Sequence, residues 1–589
     1  MANTTTSRSR ALLQLMRADT VRWAALGILL ALRAGLAIAG PIIVRRIIDL
    51  ADAGATAAQI TRLGVLFLVI ALVAQALGIV VAWYATTIAW RTTNDLRMRM
   101  TRHVLGLDHE FHRSHTPGEL IQRVDGDVTA VSDFLGRVIS RAVGAVMLVF
   151  AMVVALAFVD LRLALGAAVY IALAGALVAR SRHRAVRESS DEMGSYANLY
   201  GGIEERLTAA EDLRANGAGQ HVMWRFVNDS ARVLRSSVKR ESAFLKMWWI
   251  VEGLVACGSI ISLLASALLI SANVITLGTG FLLFQYVQLL SRPLEDMVQH
   301  LEIVQKANGA MSRVVALLNI QSEILDLGTT SPSAGPMSIE FEHVGFDYGD
   351  DETVLNDVNL TIQAGRSVGI IGRSGSGKTT MSRLVLRLVE TTKGAVFLGS
   401  VPIADIPLVQ LRKRVALVPQ EVELFSGSVR DNVTLFDDTV PTAAVEQALR
   451  HVGLNHLLEG GIDRDLGSTD AGLSAGEAQL LALARVWLRQ PDVMVLDEAT
   501  ARVDPQTEQM LEAAITALMH GRTTLIIAHR LSTLKHVDDV LVVESGKVVE
   551  FGPRDALEVD ATSHFHRLLS LAGDLDGTLG SIDKLSVAP

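Results

Sequence analysis

Over the first 315 positions, apolar residues do not alternate with polar ones but gather into six long stretches. They centre on residues 23–44, 63–83, 142–159, 163–179, 247–271 and 277–290. A membrane-spanning helix needs roughly 20 apolar residues. The sixth stretch is short of that, but helical patterning carries it on to about residue 315. Asp160 and Arg162 interrupt what would otherwise read as one very long helix over 142–179. Six spans are therefore expected. Between them, 91–137 and 180–246 keep helical periodicity without any membrane-length apolar run. They read as helices continuing well past the bilayer.

After "NIQSEILDLGTTSPSAGPMS" (319–338), where small residues and prolines mark a linker, the pattern changes. Short runs such as "RSVGIIG", "RVALVPQ", "DVMVLDE" and "TTLIIAH" read as strands and alternate with helical segments, as in an α/β domain. None is long enough to cross a membrane. The expected division is a membrane domain over 1–318, a linker over 319–336, an α/β domain over 337–575 and a tail over 576–589.

Charge then orients the chain. The N-terminus carries Arg8, Arg10, Arg17 and Arg22, and both long polar segments are rich in arginine, whereas the connections near 52–60, 160–162 and 271–276 carry few cations. By the positive-inside rule, the N-terminus, both long segments and the α/β domain lie in the cytoplasm. The net charge of −8 argues against nucleic acid as a partner. Lone Cys257 excludes an internal disulfide and reads as a packed core thiol. Arg33 and Glu252 are ionisable at apparent membrane depth, to touch cargo or to pair with each other.

The chemistry is concentrated in "GIIGRSGSGKTT". A strand-like run leads into Gly372, Arg373, Ser374, Gly375, Ser376 and Gly377, and a helical run follows from Lys378, Thr379 and Thr380. That is a P-loop in its required context. The glycines let backbone N–H groups face phosphate oxygens, Lys378 reaches the β- and γ-phosphates, and Thr379 holds Mg²⁺. About 120 residues on, "VMVLDE" ends a buried strand in Asp497, a Mg²⁺ ligand, and Glu498, placed to polarise an attacking water.

With these motifs in this order, nearly the whole chain resembles an exporter-type half-transporter of the ATP-binding-cassette family. The resemblance implies a six-helix α-helical transmembrane domain with long cytoplasmic extensions, fused to a P-loop α/β ATP-binding cassette. It implies that Tyr348 stacks on adenine, that Gln420 links Mg²⁺ and water to the membrane domain, that Asp504 lies at the cassette dimer seam and that His529 contacts the γ-phosphate. Residues 109–128 and 196–217 resemble the two intracellular loops, which in the family end in short coupling helices. The implied activity is ATP-driven export, with ATP hydrolysis coupled to translocation across a bacterial plasma membrane. The cargo is a small molecule, lipid or peptide, and the partner is a second half-transporter. Uptake on the same fold and an ATP-gated channel are the alternatives.

One motif departs from the family. Its signature LSGGQ reads Leu473, Ser474, Ala475, Gly476, Glu477 here, preceded by "LGSTDAG" where the family has a glutamate-centred loop. In the family this segment caps nucleotide held by the other subunit. Ser474 and Gly476 keep a hydroxyl and a backbone donor at a helix start, while Glu477 adds negative charge near an anionic ligand. A heterodimer with one strong and one slower site is expected, and a homodimer with two weakened sites is the competing arrangement.

Overall fold

The computed structural model describes residues 19–570, apart from 300, 350–352, 467–472, 498–504 and 529–530. Glu498, Asp504 and His529 lie outside the described residues. The chain forms two compact units, one of residues 1–106 and 115–321, the other of 107–114 and 322–589.

The first unit is helical. Among the described residues, five helices are long and apolar enough to cross a membrane: α1 (Thr20–Asp52), α2 (Ala57–Leu105), α4 (Pro117–Ala157), α5 (Leu161–Thr208) and α7 (Gly219–Ser271). The six-residue α3 (His109–Ser114) follows α2 in the chain, and α6 (Ala210–Ala215) follows α5. At 1.5 Å per residue, the 49 residues of α2 run roughly 70 Å, more than twice the hydrocarbon thickness. The polar stretches do continue the helices, as their periodicity predicts. The α4–α5 break also falls where expected, because Asp160 caps the new helix by accepting from the Arg162 N–H at 2.7 Å.

The sixth apolar stretch is built differently from the other five. It breaks between α8 (Leu277–Leu289) and α9 (Ser291–Gln299), and α10 (Leu301–Leu318) lies beyond residue 300. Pro293 supplies the physical reason for the break, since it has no N–H to donate to the Leu289 carbonyl and its ring crowds that turn. Polar cross-links hold the bundle beyond its apolar length. Arg206 meets Asp229 at 2.9 Å and Arg240 meets Glu192 at 2.6 Å, both joining α5 to α7. Arg313 of α10 grips buried Asp127 with two hydrogen bonds of 2.8 and 2.5 Å. Cys257 is exposed on α7, so the expectation of a packed core thiol is corrected: it falls on a helix face shared with exposed Ile260 and Leu264.

The second unit is an α/β domain. A four-stranded antiparallel sheet has the order β2-β1-β4-β5, from β1 (Ile339–Asp347), β2 (Thr353–Ile362), β4 (Lys393–Leu398) and β5 (Val401–Pro402). A six-stranded sheet has the order β10-β9-β3-β8-β7-β6, from β3 (Ser367–Ile371), β6 (Val415–Val418), β7 (Val493–Asp497), β8 (Thr523–Ile527), β9 (Asp539–Glu544) and β10 (Lys547–Pro553). All its pairings are parallel except β9 with β10. Alternation along β7 feeds two cores. Val493 and Val495 pack between the sheets with Phe341 and Leu355, and Met494 and Leu496 pack under the helices with Leu480 and Leu511.

The segment expected to be a linker is pinned to this unit. Buried Arg387 donates to the Leu325 carbonyl at 2.9 Å, and Asp326 accepts from the Leu408 N–H at 2.9 Å.

Candidate nucleotide site

Parallel strands put their C-terminal ends on one edge, where α/β domains bind ligands. Here β3 runs into the Gly372–Gly377 loop, and β7, two places away across β8, ends in Asp497, paired in register with Ile527. Helix α11 (Lys378–Val385) starts at the end of the loop. The loop is tight enough to require its glycines. A Cβ on Gly372 would lie 2.1 Å from the Val543 carbonyl oxygen, and one on Gly377, whose φ is 104°, would lie 2.5 Å from Leu355. Lys378 is buried and curls back, its Nζ donating to the Gly372 and Arg373 carbonyls at 2.7 and 2.9 Å. Arg373, Ser374, Gly375 and Thr379 are exposed, while Ser376 and Thr380 are buried, and the Ser376 hydroxyl has no hydrogen-bond partner among the described residues. A cradle that a Cβ would fill, closed by a buried lysine and edged by an exposed hydroxyl, fits a phosphate chain.

Tyr348, just past β1, is brought to this loop. Its hydroxyl accepts from Arg383 at 2.9 Å and lies 3.3 Å from that of Thr380, both on α11. Phe346 packs perpendicular to its ring at 4.7 Å.

Gln420 is exposed beyond β6. After the short helices α12 (Leu408–Arg414), α13 (Val429–Thr434) and α14 (Thr442–His451) comes α15 (Ala475–Arg489), the helix the signature opens, and the Gln420 loop is tied to it. Arg485 of α15 donates to the Glu423 carbonyl at 3.0 Å and the Asn432 carbonyl at 2.8 Å, with Phe425 against its guanidinium. The cost of burying this guanidinium pulls the arginine below its usual range. Sequence reasoning passed over Arg485, whose signal is only one more cation on an amphipathic helix.

At the start of α15 the odd signature becomes intelligible. The Ser474 N–H donates to Glu477 Oε2 at 2.7 Å, and the Glu477 N–H donates to Ser474 Oγ at 3.2 Å. This is a capping box. The other carboxylate oxygen lies 3.1 Å from His456 Nε2. Gly476 is buried, while Ala475 points its methyl to the surface. Sequence reasoning passed over the S-x-x-E spacing that signals this cap, and His456 had no local signal.

In the helical unit, Arg33 is exposed and its guanidinium lies against α2 at Gly78, where an added Cβ would meet it at 3.7–3.8 Å. Among the described residues, neither Arg33 nor Glu252 has an ion-pair partner. The two are therefore not paired with each other.

Residues 23–294 match the model of the ABC transporter transmembrane region, and residues 355–501 match that of the ABC transporter. An ATP-dependent lipid A-core flippase of Chromobacterium violaceum is 30% identical over 488 residues, covering 82% of this chain and 83% of its own. The chain is an ABC transporter. A second lipid A-core flippase, from Ralstonia nicotianae, is 30% identical over 540 residues, with 90% of each chain covered. The transporter also shares its fold with a bacterial Atm1-family ABC exporter solved with ATP bound, at a TM-score of 0.77 and 22% identity, over 92% of this chain and 96% of that one. It is thus a multi-pass membrane protein carrying an ATP-binding cassette.

Proposed function

We propose that this ABC transporter is an ATP-driven exporter half, seated in a bacterial inner membrane with its N-terminus and cassette in the cytoplasm. The observation that carries it is one chain joining five membrane-length helices to a parallel sheet with the Gly372–Thr380 loop and Asp497 at the same strand edge. Lys378 leaves its two carbonyls for the β- and γ-phosphates. Thr379, Asp497 and Gln420 hold Mg²⁺ directly or through water. When bound, that ion neutralises charge on the β- and γ-oxygens. Glu498 takes a proton from the attacking water and His529 steadies the γ-phosphate. Ser474 and Gly476 cap nucleotide on a partner cassette across a seam that includes Asp504.

Cassette closure around ATP and reopening after hydrolysis bias the membrane helices between two states. The relatives named lipid A-core flippases support a lipid-like, amphiphilic cargo and leave the uptake and channel readings without a supporting observation. The self-capped Ser474–Glu477 start supports pairing with a second, different chain whose signature serves the Lys378 site. The test is transport into inside-out vesicles, beside ATPase assay of this chain alone and with its genomic neighbour. Flux without ATP turnover would overturn the exporter reading. Equal turnover with and without the neighbour would replace the heterodimer with a homodimer.

A further inference from the structure

Tyr348 is not an open platform. Its hydroxyl is anchored to α11 by Arg383 and Thr380, and Phe346 packs on the ring, so the ring itself is fixed. Over its face, 5.1 Å from the centroid, lies the guanidinium of Arg113. Arg113 belongs to α3, which clusters with the cassette unit rather than with the helices on either side of it in sequence. The segment is tied down there by Asp108, which accepts from the Glu323 N–H at 2.5 Å and from the Ser322 hydroxyl. Glu110 steadies the guanidinium at 3.0 Å. Other cations crowd the same place. His109 is held below its usual range first by burial and then by Arg383, with Arg113 adding to the effect.

We infer that Arg113 holds the face of Tyr348 on which an adenine would stack, so that an incoming nucleotide must lift this guanidinium off the ring. The inference rests on the proposed role of Tyr348. Stacked groups approach at roughly 3.5–4 Å, so a base lying between the ring and the guanidinium would need about 7 Å, more than the observed separation allows. The ring is braced on several sides, while Arg113 is a half-exposed side chain on a six-residue helix. The arginine therefore moves, and the tyrosine does not. Because α3 follows α2 in the chain after Gly106–Asp108, the residue that the base would displace lies only a few positions beyond the end of a membrane-length helix. On this view Arg113 competes with the base for the ring, and its displacement is the means by which the base's arrival is felt.

The experiment compares two ligands, ATP and inorganic tripolyphosphate, on the full-length chain in nanodiscs without Mg²⁺. Removing a cation weakens both by a shared amount, so the readout is the ratio of their affinities. In Arg113→Ala the ratio of ATP to tripolyphosphate affinity rises about two- to five-fold, the size of an exposed cation–π contact. Arg113→Gln, which keeps a donor for Glu110, moves the ratio the same way. In a Tyr348→Leu background neither substitution moves it. A ratio that stays level or falls in Arg113→Ala overturns the inference. If Tyr348→Leu by itself leaves the wild-type ratio unchanged, the Tyr348 reading fails first and takes the inference with it.

Discussion

Ser474 and Glu477 cap each other, the N–H of each donating to the side chain of the other at 2.7 and 3.2 Å. The carboxylate thus takes the Ser474 N–H, the Ser474 hydroxyl takes the Glu477 N–H, and His456 shares the other carboxylate oxygen. On the proposed role of this signature, a partner's γ-phosphate would approach a helix terminus that already carries a carboxylate.

Glu477→Gln keeps the capping spacing and removes the charge. ATPase of the purified complex is expected to rise about two- to five-fold, matching the ~0.3–1 kcal/mol that a charge contributes at a helix terminus. Unchanged turnover would place the limit on the other face.

Glu498→Gln separates binding from chemistry. Loss of a general base lowers turnover by about 10²–10⁴-fold, while ATP affinity stays within about twofold. Steady-state ATPase beside equilibrium ATP binding reads both, and normal turnover would remove Glu498 from its role.

Asp127 is buried and has Arg313 as its ionic partner. Arg313→Met strands the carboxylate at a cost of about 3 kcal/mol, the low end for a broken buried pair because Arg313 is half exposed. The apparent Tm in detergent falls accordingly. Adding Asp127→Leu recovers most of it, and failure to recover would assign the loss to packing instead.

Gly278 opens α8 where the chain passes α1. Its N–H donates to Asp49 at 2.9 Å, and a Cβ there would lie 2.3 Å from the Arg45 carbonyl oxygen. Gly278→Ala forces the helices apart and costs about 1–3 kcal/mol. Gly64→Ala, on α2 with nothing within 4 Å of the added methyl, leaves the Tm level or higher. The pair of thermal melts distinguishes close approach from helix propensity.

Much of this protein was legible along the chain because its physics is local. A 20-residue apolar run has to span a bilayer as a helix, and Asp160 before Arg162 has to start a new one. Gly372 and Gly377 sit between strand and helix because only glycine fits the approach of Val543 and Leu355, which a spacing of glycines can announce. Ser474-x-x-Glu477 has the spacing of a cap, but its sequence reading is an intruding charge, and the structure changes that meaning to a self-satisfied terminus.

Tertiary structure decided what depends on residues far apart in sequence. Nothing local to Arg113 says that it covers Tyr348, 235 positions later, nor does Arg485 announce that it holds the loop after Gln420. Arg33 and Glu252 are oppositely ionisable residues within apolar stretches, yet among the described residues they form no ion pair, and Arg33 lies against Gly78 instead. The hydrophobic period determines which face of an element is buried. Which polar group waits on the other side depends on how the elements are folded together, and that is where this transporter's departures from its family acquire a chemical reason.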